Sequence, residues 1–329
     1  MATTPPPAGA VVSWRPLRLE DAGALTALQA ACRRAEGEPD EVPTVDKIRH
    51  ELEEPGSTLA DDTLGGWGVD GRLLAYARIW CRPSPTLLGR GLLHGDVHPV
   101  ARRTGVGSAL IDWQAARAEE RLRAETPPGV ERRMELHAPS TDLGRAAIAR
   151  RARLLPTRWF HKMTRPLVEH LDVPRIPAGL EMVAWTDAVA EAALEARNDA
   201  WQDHWAYEPM PRATWQHRLL EDPLFLRPAS RLVLDDGRIV GLVLCAEQAT
   251  SESADGRTGI IDAVAVRRAW RRRGVGAALI GAALVALHEE GFRTAALHVD
   301  AASPTGALGL YERLGFHVLR TTTAHSRDV

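Results

Sequence analysis

Five arginines crowd into seven residues of the segment VAVRRAWRRRGVGAALI (264–280), which then turns abruptly to glycine and small apolar side chains. Such a stretch is either a basic patch for nucleic acid or a loop that wraps an anion. A second segment, HPVARRTGVGSALI (98–111), repeats the same order far upstream. Gly105 and Gly274 lie 169 residues apart in a chain of 329. That period is too long for a solenoid and predicts two similar domains in tandem.

Each half reads in the same coarse order. In the first, VVSWRPL (11–17) alternates like a strand, and residues 25–33 and 45–52 have helical spacing. The pair GGWGVDG and RLLAYARIW forms a hairpin with an Asp-Gly turn. GLLHGDVHP is a strand entering the glycine loop, 106–121 a helix, MELHAP a strand, 142–153 a helix and RWFHKMTRPL a closing strand. The second half repeats this with LEMVAW, helices over 188–201 and near 215–220, and the hairpin RLVLDDGRIVGLVLCAE. The strand GIIDAVAV, a helix over 275–289, the strand TAALHV, a helix into Tyr311 and a last strand follow. Two prolines in VEHLDVPRIPAGL (168–180) place the boundary there. The expected division is a disordered Pro/Ala-rich tail over 1–10, a first domain over 11–168 and a second over 176–329.

With 41 basic against 43 acidic residues the chain is not a globally basic nucleic-acid binder. Only Lys47 and Lys162 are lysines, and the richness in Ala, Gly and Pro fits GC-rich coding. Cys32, Cys81 and Cys245 have no paired spacing, which indicates neither a metal site nor a disulfide framework. The amino terminus lacks the basic and apolar regions of a signal peptide, and no apolar run reaches membrane-spanning length. A cytoplasmic chain without membrane partner is expected, a monomer (pseudo-dimer) or a homodimer.

Both loops follow a strand, open a helix and share Arg-x-x-Gly-x-Gly: Arg102, Gly105, Gly107 and Arg271, Gly274, Gly276. A helix start leaves backbone N–H groups unpaired, and glycine lets the chain turn tightly enough to aim them at one point. The product is an anion site suited to a pyrophosphate. Neither loop has the Lys-Ser/Thr of a P-loop or the three-glycine dinucleotide pattern. Base-stacking aromatics interleaved with the charge are missing too, Trp270 being the only candidate, so no nucleic-acid partner is expected.

The run VAVRRAWRRRGVGAALI followed by ALHVDAASPTGALGLYERLGF (296–316) resembles the GNAT superfamily of acetyltransferases. The resemblance covers nearly the whole chain as two copies, an arrangement similar to mycothiol synthase. It implies an α/β (α+β) fold of two tandem GNAT-like domains, each a mixed, mostly antiparallel sheet with flanking helices and a splayed coenzyme A cleft. It further implies acetyl-CoA as co-substrate, no metal, and acetyl transfer to a primary amine of a small molecule by direct attack. A coenzyme-binding sensor or scaffold without turnover is the alternative.

The resemblance assigns the coenzyme pyrophosphate to the amides from Arg272 through Arg273, Gly274, Val275 and Gly276 to Ala277, behind Arg271. It assigns the pantetheine arm to backbone groups of Val264 and Val266, with Ser303 where many members carry asparagine. The arm lies between two parallel strands that splay apart, here GIIDAVAV and TAALHV. Tyr311 stands in the place of the general acid, since a phenol can protonate the leaving thiolate without being charged at rest. For the base, Asp262 lies two residues before Val264 and so on the same strand face; Glu247 and His204 are rivals. Asp203, His204, Trp205 and Tyr207, in the loop after the first helix, form with Glu247 the candidate acceptor site. Mycothiol synthase has a glutamate near the start of the strand where this chain has Ile260, a departure from that pattern. In the first copy Arg102, Gly105 and Gly107 offer a second coenzyme loop, but Ala149 matches Tyr311 and no Gly-Phe ending follows, so that domain is expected to be non-catalytic.

Overall fold

The computed structural model of the chain describes residues 9–37, 42–168, 173–248 and 256–329; most of the expected tail, residues 1–8, lies outside them. In chain order the first half carries β1 (Ser13–Arg15), α1 (Ala22–Glu36), α2 (Val45–Leu52), α3 (Leu59–Asp62), β2 (Thr63–Trp67) and β3 (Leu73–Cys81). It continues with β4 (Leu88–Val97), α4 (Val106–Glu125), β5 (Glu131–Pro139), α5 (Leu143–Arg151) and β6 (Leu155–Pro166). The second half carries β7 (Glu181–Ala184), α6 (Ala190–Ala200), α7 (Arg212–Trp215), β8 (Arg231–Asp235) and β9 (Arg238–Glu247). Then come β10 (Thr258–Val266), α8 (Val275–Glu289), β11 (Thr294–Asp300), α9 (Ala307–Arg313) and β12 (His317–Asp328).

Local chemistry sets several of these ends. The Thr44 hydroxyl accepts from the Lys47 amide and starts α2, and Asp142 accepts from the Arg145 amide at 2.9 Å to start α5. Asp236 and Gly237 both take positive φ, 46° and 77°, the geometry of a two-residue turn whose twist suits the β8–β9 hairpin.

Two compact units result. In the first, the strand order is β1-β2-β3-β4-β5-β12, and only β4 and β5 run parallel. In the second it is β7-β8-β9-β10-β11-β6, and only β10 and β11 run parallel. Alternating side chains feed two apolar clusters in each unit. In the first, Leu93, Met134 and Leu136 pack with Leu110 and Ile111 of α4, and Leu73 and Tyr76 pack with Leu25 and Leu28 of α1. In the second, Ile261 and Leu297 pack with Leu279 and Ile280 of α8, and Leu242 and Ala263 with Ala193 and Leu194 of α6.

The division differs from a cut at 168–176. The units part between Arg158 and Trp159, inside β6, and Thr322–Val329 belongs to the first unit. Phe160–Pro166 of β6 pairs with β11, whereas Thr322–Asp328 of β12 pairs with β5. Each sheet thus closes on a strand from the other half of the chain. Periodicity reveals a strand but not its partner, so the exchange is invisible in the pattern.

Helices α5 and α9 end alike. Leu154 N–H donates to Ala149 C=O at 2.9 Å, and Phe316 N–H donates to Tyr311 C=O at 3.0 Å. This closure puts the residue before the donor in the left-handed region: Gly315 at φ 80°, Arg153 at φ 59°. The first copy therefore has the backbone of the Gly-Phe ending without the glycine. A side chain in this region costs about 1–2 kcal/mol, partly offset by the greater freedom glycine has when unfolded. Arg153→Gly is expected to stabilise the chain by about 0.5–1 kcal/mol, read as a rise of roughly 1–3 °C in thermal midpoint.

Candidate active site

The two glycine loops have the same backbone. Arg103 and Arg272 take φ 66° and 63°, and Gly105 and Gly274 take 91° and 90°. The first intrahelical bonds are Ala109 N–H to Gly105 C=O and Ala278 N–H to Gly274 C=O, both 3.0 Å. The amides of Val275, Gly276 and Ala277 therefore precede the helical ladder of α8, as those of Val106, Gly107 and Ser108 do in α4. Aligned N–H dipoles at such a start attract an anion, so the loop fits a pyrophosphate. Contacts also match: a side-chain carbon on Gly107 would meet Ile148 and Val97, and one on Gly276 would meet Leu310 and Val266.

One arginine in each loop is a strut. Arg271 Nε donates to Val266 C=O at 3.0 Å and Arg102 Nε to Val97 C=O at 3.0 Å, so the strand end is tied to the loop. Arg271 also donates to Ala200 C=O at 2.6 Å and pairs with Asp203, which takes a second ion pair from Arg268. Arg267, nearly buried, donates to Ile239 C=O at 2.9 Å and pairs with Asp199 and Glu195. Three of the five crowded arginines are thus committed to carbonyls and carboxylates within the unit. Arg272 and Arg273 are exposed and have no ion-pair partner among the described residues, and Arg272 reaches toward Gly306 at the start of α9.

The strands next to each loop part company. β10 and β11 pair in parallel from Thr258↔Thr294 only to Ile261↔Leu297, although both run on; β4 and β5 pair from Leu88↔Glu131 only to Leu92↔Glu135. In β10 the split coincides with a bulge: Ile261 faces Cys245 and Ala263 faces Leu244, leaving Asp262 extra. The register of β4 on β3 is unbroken. The bulge breaks the alternation expected to place Asp262 on the face of Val264. Ile261 and Val264 pack on the α8 side and Ala263 and Ala265 on the α6 side, so alternation does not carry from Asp262 to Val264. Asp262 is exposed at the bulge itself.

Tyr311 projects from α9 into the core beside Phe316, ring centroids 6.1 Å apart. The residue is 9% exposed, and no described group hydrogen-bonds its hydroxyl. Burial pushes the phenol up to about 12. Ala149 takes the corresponding position in α5, fully buried. Ser303 bonds Thr305, Oγ to Oγ1 at 2.9 Å, in the turn that leads to α9.

The loop after α6 is more structural than its composition suggests. Asp203 is clamped by Arg271 and Arg268, which hold its carboxyl below the usual range. Tyr207 donates to Asn198 C=O at 2.9 Å, and the Asn198 side chain bonds both the N–H and the C=O of Met210. Trp205 meets Phe160 with centroids 5.9 Å apart. His204 stacks on Trp201 at 4.3 Å; lost hydration and the Arg197 cation lower its pKa. Glu247 is held by both arms of Arg257, at 2.8 and 2.9 Å, beside the paired part of β10. Asn198 and Arg267 were not singled out from the sequence, since one asparagine in a helix and one arginine among five carry no pattern.

The first unit encloses a cavity of about 980 Å³ on its own loop, lined among others by Gly105, Gly107, Gly95, Glu135 and Arg145. Among the described residues no group of three His, Cys, Asp or Glu side chains is arranged for a metal, and no helix is long and apolar enough to cross a membrane.

The strut has a direct test. Lysine keeps the charge at position 271 but cannot donate to Val266, Ala200 and Asp203 together. Arg271→Lys is expected to lower unfolding stability by about 2 kcal/mol in urea denaturation. Arg268→Lys, on an exposed side chain, should cost less than about 0.5 kcal/mol.

Comparison with known proteins agrees with this geometry. Residues 187–316 match the model of the acetyltransferase (GNAT) family. A mycothiol acetyltransferase of Catenulispora acidiphila is 30% identical over 71% of this chain and 69% of its own length. One from Thermobispora bispora is 34% identical over 48% of this chain, which spans about half of that relative, 54%. A GCN5-related N-acetyltransferase from Sphaerobacter thermophilus superposes with TM-score 0.75 at 26% identity, covering 96% of this chain and 95% of that one. A tandem GNAT protein of the clavulanic acid biosynthesis pathway shares the fold at TM-score 0.68 and 20% identity, over 96% and 98% of the two chains. The chain therefore belongs to the acetyltransferase (GNAT) family, among the members that carry two such domains in tandem.

Proposed function

We propose that the second unit transfers acetyl from acetyl-CoA to a primary amine of a small molecule. The observation that carries this reading is the meeting of three features found together only there: the bulged, splayed β10, the glycine loop and Tyr311. The amides from Arg272 to Ala277 would take the pyrophosphate, with Arg272 and Arg273 adding charge from the rim. Backbone groups of Val264 and Val266 would hold the arm along the open edge of β10, and Ser303 would border it.

The chemistry then needs few groups. The neutral amine attacks the thioester carbonyl carbon; the C–N bond forms as the C–S bond breaks, and the negative charge passes through the carbonyl oxygen to sulfur. A strand amide such as that of Val264, beyond the split, would stabilise that oxygen, and the Tyr311 hydroxyl would give its proton to the thiolate. The proton lost by the amine leaves through Asp262, exposed at the bulge, by way of water. His204, Trp205, Tyr207 and Glu247 would border the acceptor, whereas Asp203 acts through the loop it clamps. Relatives named mycothiol acetyltransferase support a small acceptor of this class.

Tyr311→Phe keeps the ring and removes the proton. It is expected to lower kcat by roughly 10²-fold or more with little change in KM for acetyl-CoA, measured as release of coenzyme thiol. Because the phenol must be protonated and its pKa is raised to about 12, the wild-type rate should show no alkaline decline below that value. An alkaline limb that persists unchanged in Tyr311→Phe would assign the acid elsewhere.

A further inference from the structure

We propose that Arg145 closes the first unit's cleft to a coenzyme arm, so that the chain has two glycine loops but a single acyl-CoA site. In this unit α5 lies on the same face of the sheet as α4, with Ile148 against Gly107. Arg145, in the first turn of α5, does not stay on that face. Its guanidinium donates to Gly95 C=O at 3.4 Å and pairs with Asp96, and it lies 3.5 Å from Glu36 of α1. Asp96 alternates with Leu93 and Val97, which pack toward α4, and so points to the α1 side, where Tyr76 and α1 pack. The side chain therefore passes through the gap that β4 and β5 leave beyond Leu92 and Glu135.

The matched positions in the second unit show what this gap holds open there. Aligned through the shared loops and helix ends, Gly95 corresponds to Val264, Asp96 to Ala265 and Arg145 to Ala307. The backbone edge that would hold a pantetheine arm in the second unit is thus occupied by a guanidinium in the first. Asp142 completes the clamp at 3.0 Å from Nε, so three carboxylates hold one cation. With Asp96 only 7% exposed, displacing Arg145 would strand its charge. The cavity still reaches both faces of the sheet, from Gln29 and Tyr76 to Leu110 and Ile148, but Arg145 crosses it at the Gly95 carbonyl that an arm would use. Ala149 in place of Tyr311 and the unbroken register of β4 are changes in the same direction.

The inference rests on the coenzyme reading of the second unit, and one titration separates the two. Calorimetry of the full chain with acetyl-CoA should give one site. The double variant R145A/D96A installs the second unit's own alanines and leaves no unpaired Asp96, and it should give one site more than wild type. Gly274→Val, which disables the second loop while leaving Arg145 in place, should give none, a result independent of how the double variant folds. Two sites in wild type, no gain in a folded double variant, or a site surviving in Gly274→Val would overturn the proposal. No site in wild type with one in the double variant would support closure by Arg145 and refute the coenzyme reading of the second unit.

Discussion

The bond from an arginine Nε to the last carbonyl of the preceding strand, made by Arg271 to Val266 and by Arg102 to Val97, governs how each strand becomes a helix. A strand that ended freely would let the loop choose among many turns. Tied back, the chain must reverse within three residues, which forces left-handed backbone at Arg272 and Gly274 and at Arg103 and Gly105. The amides that open the helix then face outward from one point. In the second unit the same guanidinium reaches Ala200 and Asp203, so the loop after α6 is positioned by the residue that shapes the anion site.

This explains which parts were legible from sequence. Gly105 and Gly274 stand out because a positive φ near 90° all but demands glycine, and finding the pattern twice exposed the duplication. The hairpins announced themselves through Asp-Gly turns, and α2 and α8 through apolar spacing. Other features left no such trace. Arg153 adopts the conformation that Gly315 has in the second copy, so the ending looked lost although the backbone is retained. The bulge at Asp262 adds one residue, and no alternation pattern tells an extra residue from a regular one. Arg145 looks like one more surface arginine on a helix until the strands beneath it are seen to part. The exchange of β6 and β12 depends on pairing between residues 128 or more positions apart, which propensity does not encode.

The features that shape the two loops are common to both units. Loop dihedrals, strut, first-turn contacts and helix closure coincide between the units. The differences gather at the split between the parallel strands, where one unit has a bulge, open backbone and a buried tyrosine, and the other a clamped arginine and an alanine. Stability elements were kept in both copies while the proposed chemistry was kept in one. A duplicated domain can follow this course, because the spare copy is released from turnover but not from folding.

On the function proposed above, acetyl transfer depends on the second loop. The most direct test is a matched pair of substitutions, Gly105→Val and Gly274→Val, each straining a left-handed residue at the same φ and so misaiming the same amides. Steady-state thiol release from acetyl-CoA with a panel of small primary amines should be abolished by Gly274→Val and nearly unchanged in Gly105→Val. Loss of turnover in Gly105→Val, with Gly274→Val active, would place the chemistry in the first unit.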